Sequence, residues 1–184
     1  CCTAAFVVFA VRRYRSLVPR NAGRVPPTKV SPLCALSATE MSRRLRSGEV
    51  TSLQLVDAAI ALIETVNPHV NAVVFNRFAL ARDEARGADV VIAQHRSSGD
   101  WTGVGWLTGV PCTIKECFAV VGCPNTGGHP RRRDRVGRED AAVVARLRAA
   151  GAIFLGVTNL SELCMWMESN NAVYGITCNP YDLR

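Results

Sequence analysis

Two short apolar runs, residues 110–114 and 152–157, constrain the fold of this chain more than anything else in it. Each has the length of a buried strand and is too short for a buried helix, which needs roughly ten residues or more. Around them the apolar spacing switches to the helical period. Leu53, Val56, Ala59, Ile60 and Ile63 share one face of a helix predicted over 52–66, and Phe78, Ala81, Ala85, Ala88 and Ile92 share one face of another over 77–96. Residues 71–75 read as a further short strand. Residues 139–150 read as a helix that passes through Gly151 directly into the second apolar run. Helix and strand in alternation indicate an α/β fold, a sheet covered by helices with short crossovers. Ser37 with Glu40 makes a capping pattern that opens a short basic helix over 38–47, stopped by Gly48, and Thr51 caps the helix after it. Pro68 is expected to end that second helix.

The folded unit is expected to span 37–184. A hydrophobic share of 48% against 20% charged residues is that of a globular chain, not a disordered one. Ahead of it, 19–36 carries Pro19, Pro26, Pro27 and Pro32 with Gly23 and reads as a linker. Residues 1–11 are apolar almost without break and are followed by Arg12, Arg13 and Arg15. Such a run is too short to cross a bilayer of about 30 Å, which takes roughly 20 helical residues, but an upstream continuation would complete it. The basic flank would then set the downstream chain on the cytoplasmic side. Residues 1–18 are therefore read as a truncated membrane anchor, with the tail of a secretory signal or a soluble apolar segment as alternatives. The arginines directly after the apolar run argue against signal cleavage there. A first residue Cys1 and a turn-like close at Arg184 give the expectation of a fragment at both ends.

The net charge of +7, densest at Arg131-Arg132-Arg133-Asp134-Arg135, could point to an acidic partner. Nucleic-acid binding would interleave basic residues with aromatics, and here the aromatics are few and lie elsewhere, so no nucleic-acid partner is expected and the run reads as a solvated loop. Eight cysteines could mean disulfides or a metal site. Cys112, Cys117 and Cys123 are separated by four and five intervening residues and no Cys-x-x-Cys pair occurs, which fits neither. They read as small buried apolar residues of a reducing compartment. His69, His95 and His129 also lack ligand spacing, so no metal and no cofactor are implied.

Only two of the 22 basic side chains are lysines, Lys29 and Lys115. A guanidinium keeps its proton in any protein setting, whereas an ammonium among apolar neighbours can release it, so Lys115 at the end of a predicted strand is the candidate for proton chemistry. The structural alternative is a Lys that snorkels from a buried strand and pairs with Glu116 or another carboxylate.

The residues around it then become recognisable. Leu107-Thr108-Gly109-Val110-Pro111-Cys112-Thr113-Ile114-Lys115-Glu116, followed by Asp140-Ala141 with Val143-Val144 and Leu147, and by Gly151-Ala152 and Gly156-Val157-Thr158-Asn159, resemble the amidase signature family in order and spacing. The closing stretch resembles its fatty-acid amide hydrolase 2 type: Thr158 to Trp166, Glu168-Ser169, Tyr174-Gly175 and Asn179-Pro180-Tyr181-Asp182-Leu183. This resemblance implies the N-terminal part of an amidase-signature fold, a mixed sheet covered by helices and here incomplete. It also implies a Ser, cis-Ser, Lys arrangement in which Lys115 activates a bridging Ser, and that Ser activates the nucleophile that becomes an acyl-enzyme. The amine must be neutral when it acts, which takes a closed, dry pocket.

By the same resemblance, both serines of the family lie in and after a Gly/Ser-rich signature beyond the Asn-Pro-Tyr-Asp-Leu segment, and no such signature occurs in these 184 residues. Ser161 and Ser169 precede that position and are no substitutes, so the chain by itself is expected to be inactive. By the same resemblance, residues 158–166 line an acyl pocket and Cys164 meets a lipophilic amide substrate. Packing explains Cys164, Met165, Trp166 and Met167 as well, and is the expected role for them. Asn159 and Asn179 are expected to satisfy loop backbone, and Glu116 to partner an Arg. A homodimer is left open. So are a different acyl amide or ester as substrate and a non-catalytic product that binds membrane or a partner.

Overall fold

Helix ends here are fixed by side chains that the sequence supplies at the right offsets. The computed structural model of the chain describes residues 23–26 and 28–183, so the proposed anchor over 1–18 lies outside the described residues. Helix α1 (Ala38–Ser47) begins where Ser37 Oγ accepts from the Glu40 amide at 3.2 Å, and it stops at Gly48 in the left-handed conformation. Helix α2 (Ser52–Val70) begins in a full capping box: Thr51 Oγ1 accepts from Gln54 N and Gln54 Oε1 accepts from Thr51 N. Asp89, from helix α3 (Phe78–Ser98), adds a charged cap from outside, its carboxylate accepting from the Ser52 and Leu53 amides at 2.6 and 3.1 Å.

Pro68 does not end α2, which continues to Val70. A proline there removes the bond to the carbonyl of Glu64, but both Glu64 and Pro68 lie at the protein surface, where solvent can take the place of that bond. Beyond it, Val70 is buried. Asn67 holds the turn by accepting from Ala72 and Val73 amides at 2.8 and 2.7 Å and donating to the Val73 carbonyl. Tertiary anchoring thus outweighs the local cost of the proline.

Strands β1 (Val73–Asn76), β2 (Pro111–Lys115) and β3 (Ile153–Thr158) form a mixed sheet in the order β1-β3-β2. β3 is antiparallel to β1 and parallel to β2, and helix α4 (Ala142–Ala149) leads into β3 through Gly151. At Gly151, with φ +89°, a Cβ would sit 2.4 Å from Thr108 Oγ1, so this junction requires glycine. β3 is buried from Ile153 to Val157, the signature of a central strand covered on both faces. A two-residue hairpin, β4 (Asn170–Asn171) with β5 (Gly175–Ile176), follows it and was not legible in the apolar pattern.

Three packed clusters hold these parts together. Val56 and Ile60 of α2 meet Ala81, Ala85 and Ala88 of α3 above Ile153 and Leu155, with Leu53, Ala59, Ile63 and Phe78 at the margin, as the helical spacing predicts. Burying Val56 and Ile60 completely is worth about 2 kcal/mol each. A second cluster joins Ile114, Val120, Val144, Phe154 and Val157 across the sheet. The third gathers Leu45, Leu55, Ile92 and Val110 and reaches Leu33 and Leu36. In the Pro-rich stretch, Pro32–Ala35 forms one turn of 3-10 helix, and Val25 and Gly23 hydrogen-bond the backbone of Pro180 and Leu183. Among the described residues no helix is long and apolar enough to cross a membrane.

Candidate active site

Parallel neighbours that end at one edge of a sheet bring their following loops together, and open α/β sheets bind ligands at that edge. Lys115 is the last residue of β2 and is the Cα partner of Thr158, the last residue of β3. Its side chain is exposed, so the described residues do not close over the amine. No carboxylate pairs with Lys115 among the described residues, and Glu116 turns the opposite way, into the interior.

Glu116 is fully buried and accepts four hydrogen bonds. Its Oε1 takes the Thr126 amide, the Thr126 hydroxyl at 2.7 Å and the Tyr174 hydroxyl at 2.7 Å, and its Oε2 takes the Gly127 amide at 3.0 Å. Among the described residues no arginine pairs with it. Two backbone amides and two hydroxyls do that work, and they tie the Thr126-Gly127-Gly128 turn to the residue next to Lys115. Burial pushes the Tyr174 phenol well up; its bond to Thr126 opposes that shift, while the bond to the Glu116 carboxylate adds to it. Gly128 has φ +68°, and a Cβ there would meet the Asn171 side chain at 2.7 Å.

The loop after β3 closes on the same turn. Leu163 N donates to the Gly127 carbonyl at 2.7 Å, and Leu163 and Cys164 both adopt left-handed backbone angles, φ 51° and 59°. Two consecutive non-glycine residues in that region cost roughly 1–2 kcal/mol each, held in place by the surrounding bonds. This turn places Cys164 on the same cleft as Cys117. Burial pushes Cys117 up, contact with Cys164 adds to it, and the charge of Lys115 pulls the other way. Cys117, Asn125, Gly127, Arg132, Arg135, Leu163 and Cys164 line a cleft of about 280 Å³. A larger groove of about 470 Å³ between the end of α2 and β1 has Glu64 as its ionisable side chain and offers little for catalysis.

Asparagines brace the loops from behind. Asn159 donates to the Gly175 carbonyl at 3.1 Å and to Thr177 Oγ1 at 3.0 Å, while its Oδ1 accepts from Leu160 N and Asn171 Nδ2. That is the bracing role expected of it. Asn179 holds a smaller turn, accepting from Tyr181 N at 3.0 Å. Ser161 is buried and bonded to both the carbonyl and the amide of Trp166.

The cysteines and the residues beside Cys164 depart from expectation. Cys123 is buried, but Cys34, Cys112, Cys117 and Cys178 are half-buried and Cys164 is exposed. Met165, Trp166 and Met167 are 79%, 69% and 91% exposed, so they do not pack within the described residues. The reason is the left-handed turn at Leu163 and Cys164, which carries 165–167 outward from the sheet edge. Among the described residues no three His, Cys, Asp or Glu side chains converge as metal ligands would.

The family model for Amidase matches residues 54–184, most of the folded unit. The chain belongs to the amidase signature family. It is 47% identical to fatty-acid amide hydrolase 2-A of Danio rerio over 182 residues, 98% of this chain and 33% of that protein. It is 42% identical to fatty-acid amide hydrolase 2 of Homo sapiens over 167 residues, 90% of this chain and 31% of that protein. A solved fatty acid amide hydrolase shares the fold with a TM-score of 0.76 at 22% identity, covering 96% of this chain and 28% of the other. This amidase-family chain thus spans about a third of the length of the curated relatives it matches.

Proposed function

We propose that this chain carries the general base of a serine amidase that hydrolyses fatty-acid amides, and that Lys115 is that base. The observation that supports it most is the position of Lys115: it closes a parallel strand within the family-matched segment, beside a loop pinned by Glu116. In this reading Lys115, as the neutral amine, takes the proton of a bridging serine, which takes that of the nucleophilic serine. Both serines lie in and after the Gly/Ser-rich signature, which these 184 residues do not contain. The 184-residue polypeptide alone therefore turns over no amide. Cys164 and the exposed side chains of Met165 and Trp166 face the acyl chain of a lipophilic amide, and residues 1–18 hold the protein on a membrane with the amidase domain on its cytoplasmic side.

The test is to read the transcript on both sides of these residues and assay its product on a long-chain fatty-acid amide. A product containing the Gly/Ser-rich signature hydrolyses the amide, and Lys115→Ala lowers kcat/KM by roughly 10²–10⁴. Turnover by the purified 184-residue chain that Lys115→Ala abolishes would overturn the claim of inactivity. Unchanged activity of Lys115→Ala in the longer product would overturn the role of the lysine.

A further inference from the structure

The cleft past β2 holds thiols and guanidinium groups whose own chemistry amide hydrolysis does not draw on. Cys117 is half-buried and shares the cleft with Cys164, which is exposed and is the thiol a dissolved reagent meets first. Arg132 and Arg135 line the same cleft, and among the described residues neither guanidinium stands in an ion pair with a carboxylate. Arg43, Arg44, Arg77, Arg82, Arg86 and Arg148 all do. Free guanidinium groups bind carboxylates through paired N–H donors. The loops that carry the two cysteines are fixed to each other: Asn125 donates to the Glu116 and Cys117 carbonyls at 3.0 and 3.3 Å, and Leu163 donates to Gly127. The pair therefore meets repeatedly without a search through the chain.

We propose that this cleft is a thiol–disulfide exchange site for an anionic small-molecule disulfide, and that exchange there closes a Cys117–Cys164 bridge. In the first step the Cys164 thiolate attacks one sulfur of the bound disulfide, forming a mixed disulfide and releasing one small thiolate. In the second the Cys117 thiolate attacks Cys164 Sγ, which closes the bridge and releases the second small thiolate. The two protein thiols are oxidised to the bridge, and their two protons pass through solvent to the two released thiolates, so the small disulfide is reduced to two thiols and no further oxidant is needed. Arg132 and Arg135 hold the carboxylates of the incoming molecule. The bridge would fasten the loop after β3 to the second residue past Lys115.

The full chain treated with glutathione disulfide, and separately with neutral hydroxyethyl disulfide, tests this by peptide mapping without reduction. Fragmentation must assign the bridge, because Cys117 shares a tryptic peptide with Cys123 and Cys164 shares one with Cys178. The expected product from the folded chain is Cys117–Cys164, with denatured chain giving mixed pairings. Cys117→Ser stops the reaction at the mixed disulfide on Cys164. Arg132→Gln with Arg135→Gln slows glutathione disulfide roughly tenfold and leaves the neutral reagent unchanged. The proposal fails if the folded chain gives the same pairings as the denatured one, or if the arginine variant slows both reagents equally or neither. Should a variant not fold, the wild-type map and the wild-type rate ratio of the two reagents decide alone: a Cys117–Cys164 bridge with preference for the anionic reagent supports the site, and the absence of either overturns it.

Discussion

Replacing Glu116 by Gln changes one atom in a buried cluster and tests the account of how the Lys115 loop is held. The carboxylate offers only acceptors, and all four of its neighbours donate: two backbone amides and two hydroxyls. The hydroxyls can rotate to accept from a new amide group, but the Thr126 and Gly127 amides cannot. They sit on different oxygens, so either orientation of a Gln sets its NH2 against one of them. One backbone N–H is orphaned, and one charge-assisted bond weakens to a neutral one. An orphaned buried donor costs about 1–3 kcal/mol, so Glu116→Gln should destabilise by about 2 kcal/mol. Glu116→Ala orphans both amides and leaves a cavity, for about 4 kcal/mol. Tyr174→Phe removes a single donor and should cost about 1 kcal/mol. With a urea slope of about 2 kcal/mol per molar, the midpoints fall by roughly 1, 2 and 0.5 M in that order. A Glu116→Gln midpoint within about 0.2 M of wild type would refute the reasoning, because it would mean that the carboxylate does not satisfy those amides.

Gly151→Ala should cost about 3 kcal/mol in the same urea assay, since its Cβ would meet Thr108 Oγ1 at 2.4 Å and its φ of +89° disfavours any side chain. Arg77→Met should cost about 3 kcal/mol: the nearly buried guanidinium donates to the Phe154 carbonyl at 2.9 Å and to Glu84 at 2.8 Å, and both acceptors would lose it. Stability should fall at alkaline pH through Tyr174. Below the ordinary phenol value of 10 both folded and unfolded chains keep the proton; above it the unfolded chain ionises and the folded one resists, so the contribution is lost as pH rises. Urea midpoints taken from about pH 8 to 11 should therefore decline less steeply in Tyr174→Phe than in wild type.

Local rules carried well where they had local causes. Ser37, Gly48 and Thr51 mark helix ends because the capping atoms lie within four residues of the groups they satisfy, and the five apolar residues of α2 share a face because the helical period alone sets it. Pro68 misled, since its cost depends on whether Glu64 faces water and on what anchors Val70, and both are tertiary facts. Lys115 at the end of β2 was legible from strand length and residue type. The role of Glu116 was not, because its partners Thr126 and Tyr174 stand 10 and 58 residues away. A Glu directly after a buried strand, with Thr-Gly-Gly ten residues on, was the available signal. The hairpin at 170–176 escaped for a similar reason: its support comes from Asn71 and Asn159, polar residues with no periodicity to read.

The sheet order also sets a clock. β3 is hydrogen-bonded on both flanks, whereas β2 has one partner among the described residues. Deuterium should enter the amides of β3 only through the rarest openings, while amides on the outer edge of β2 exchange through shallow, frequent ones. Lys115 thus stands on the fast side of the sheet, and any chain or ligand that comes to lie along that edge will announce itself first as slowed exchange at residues 111–115.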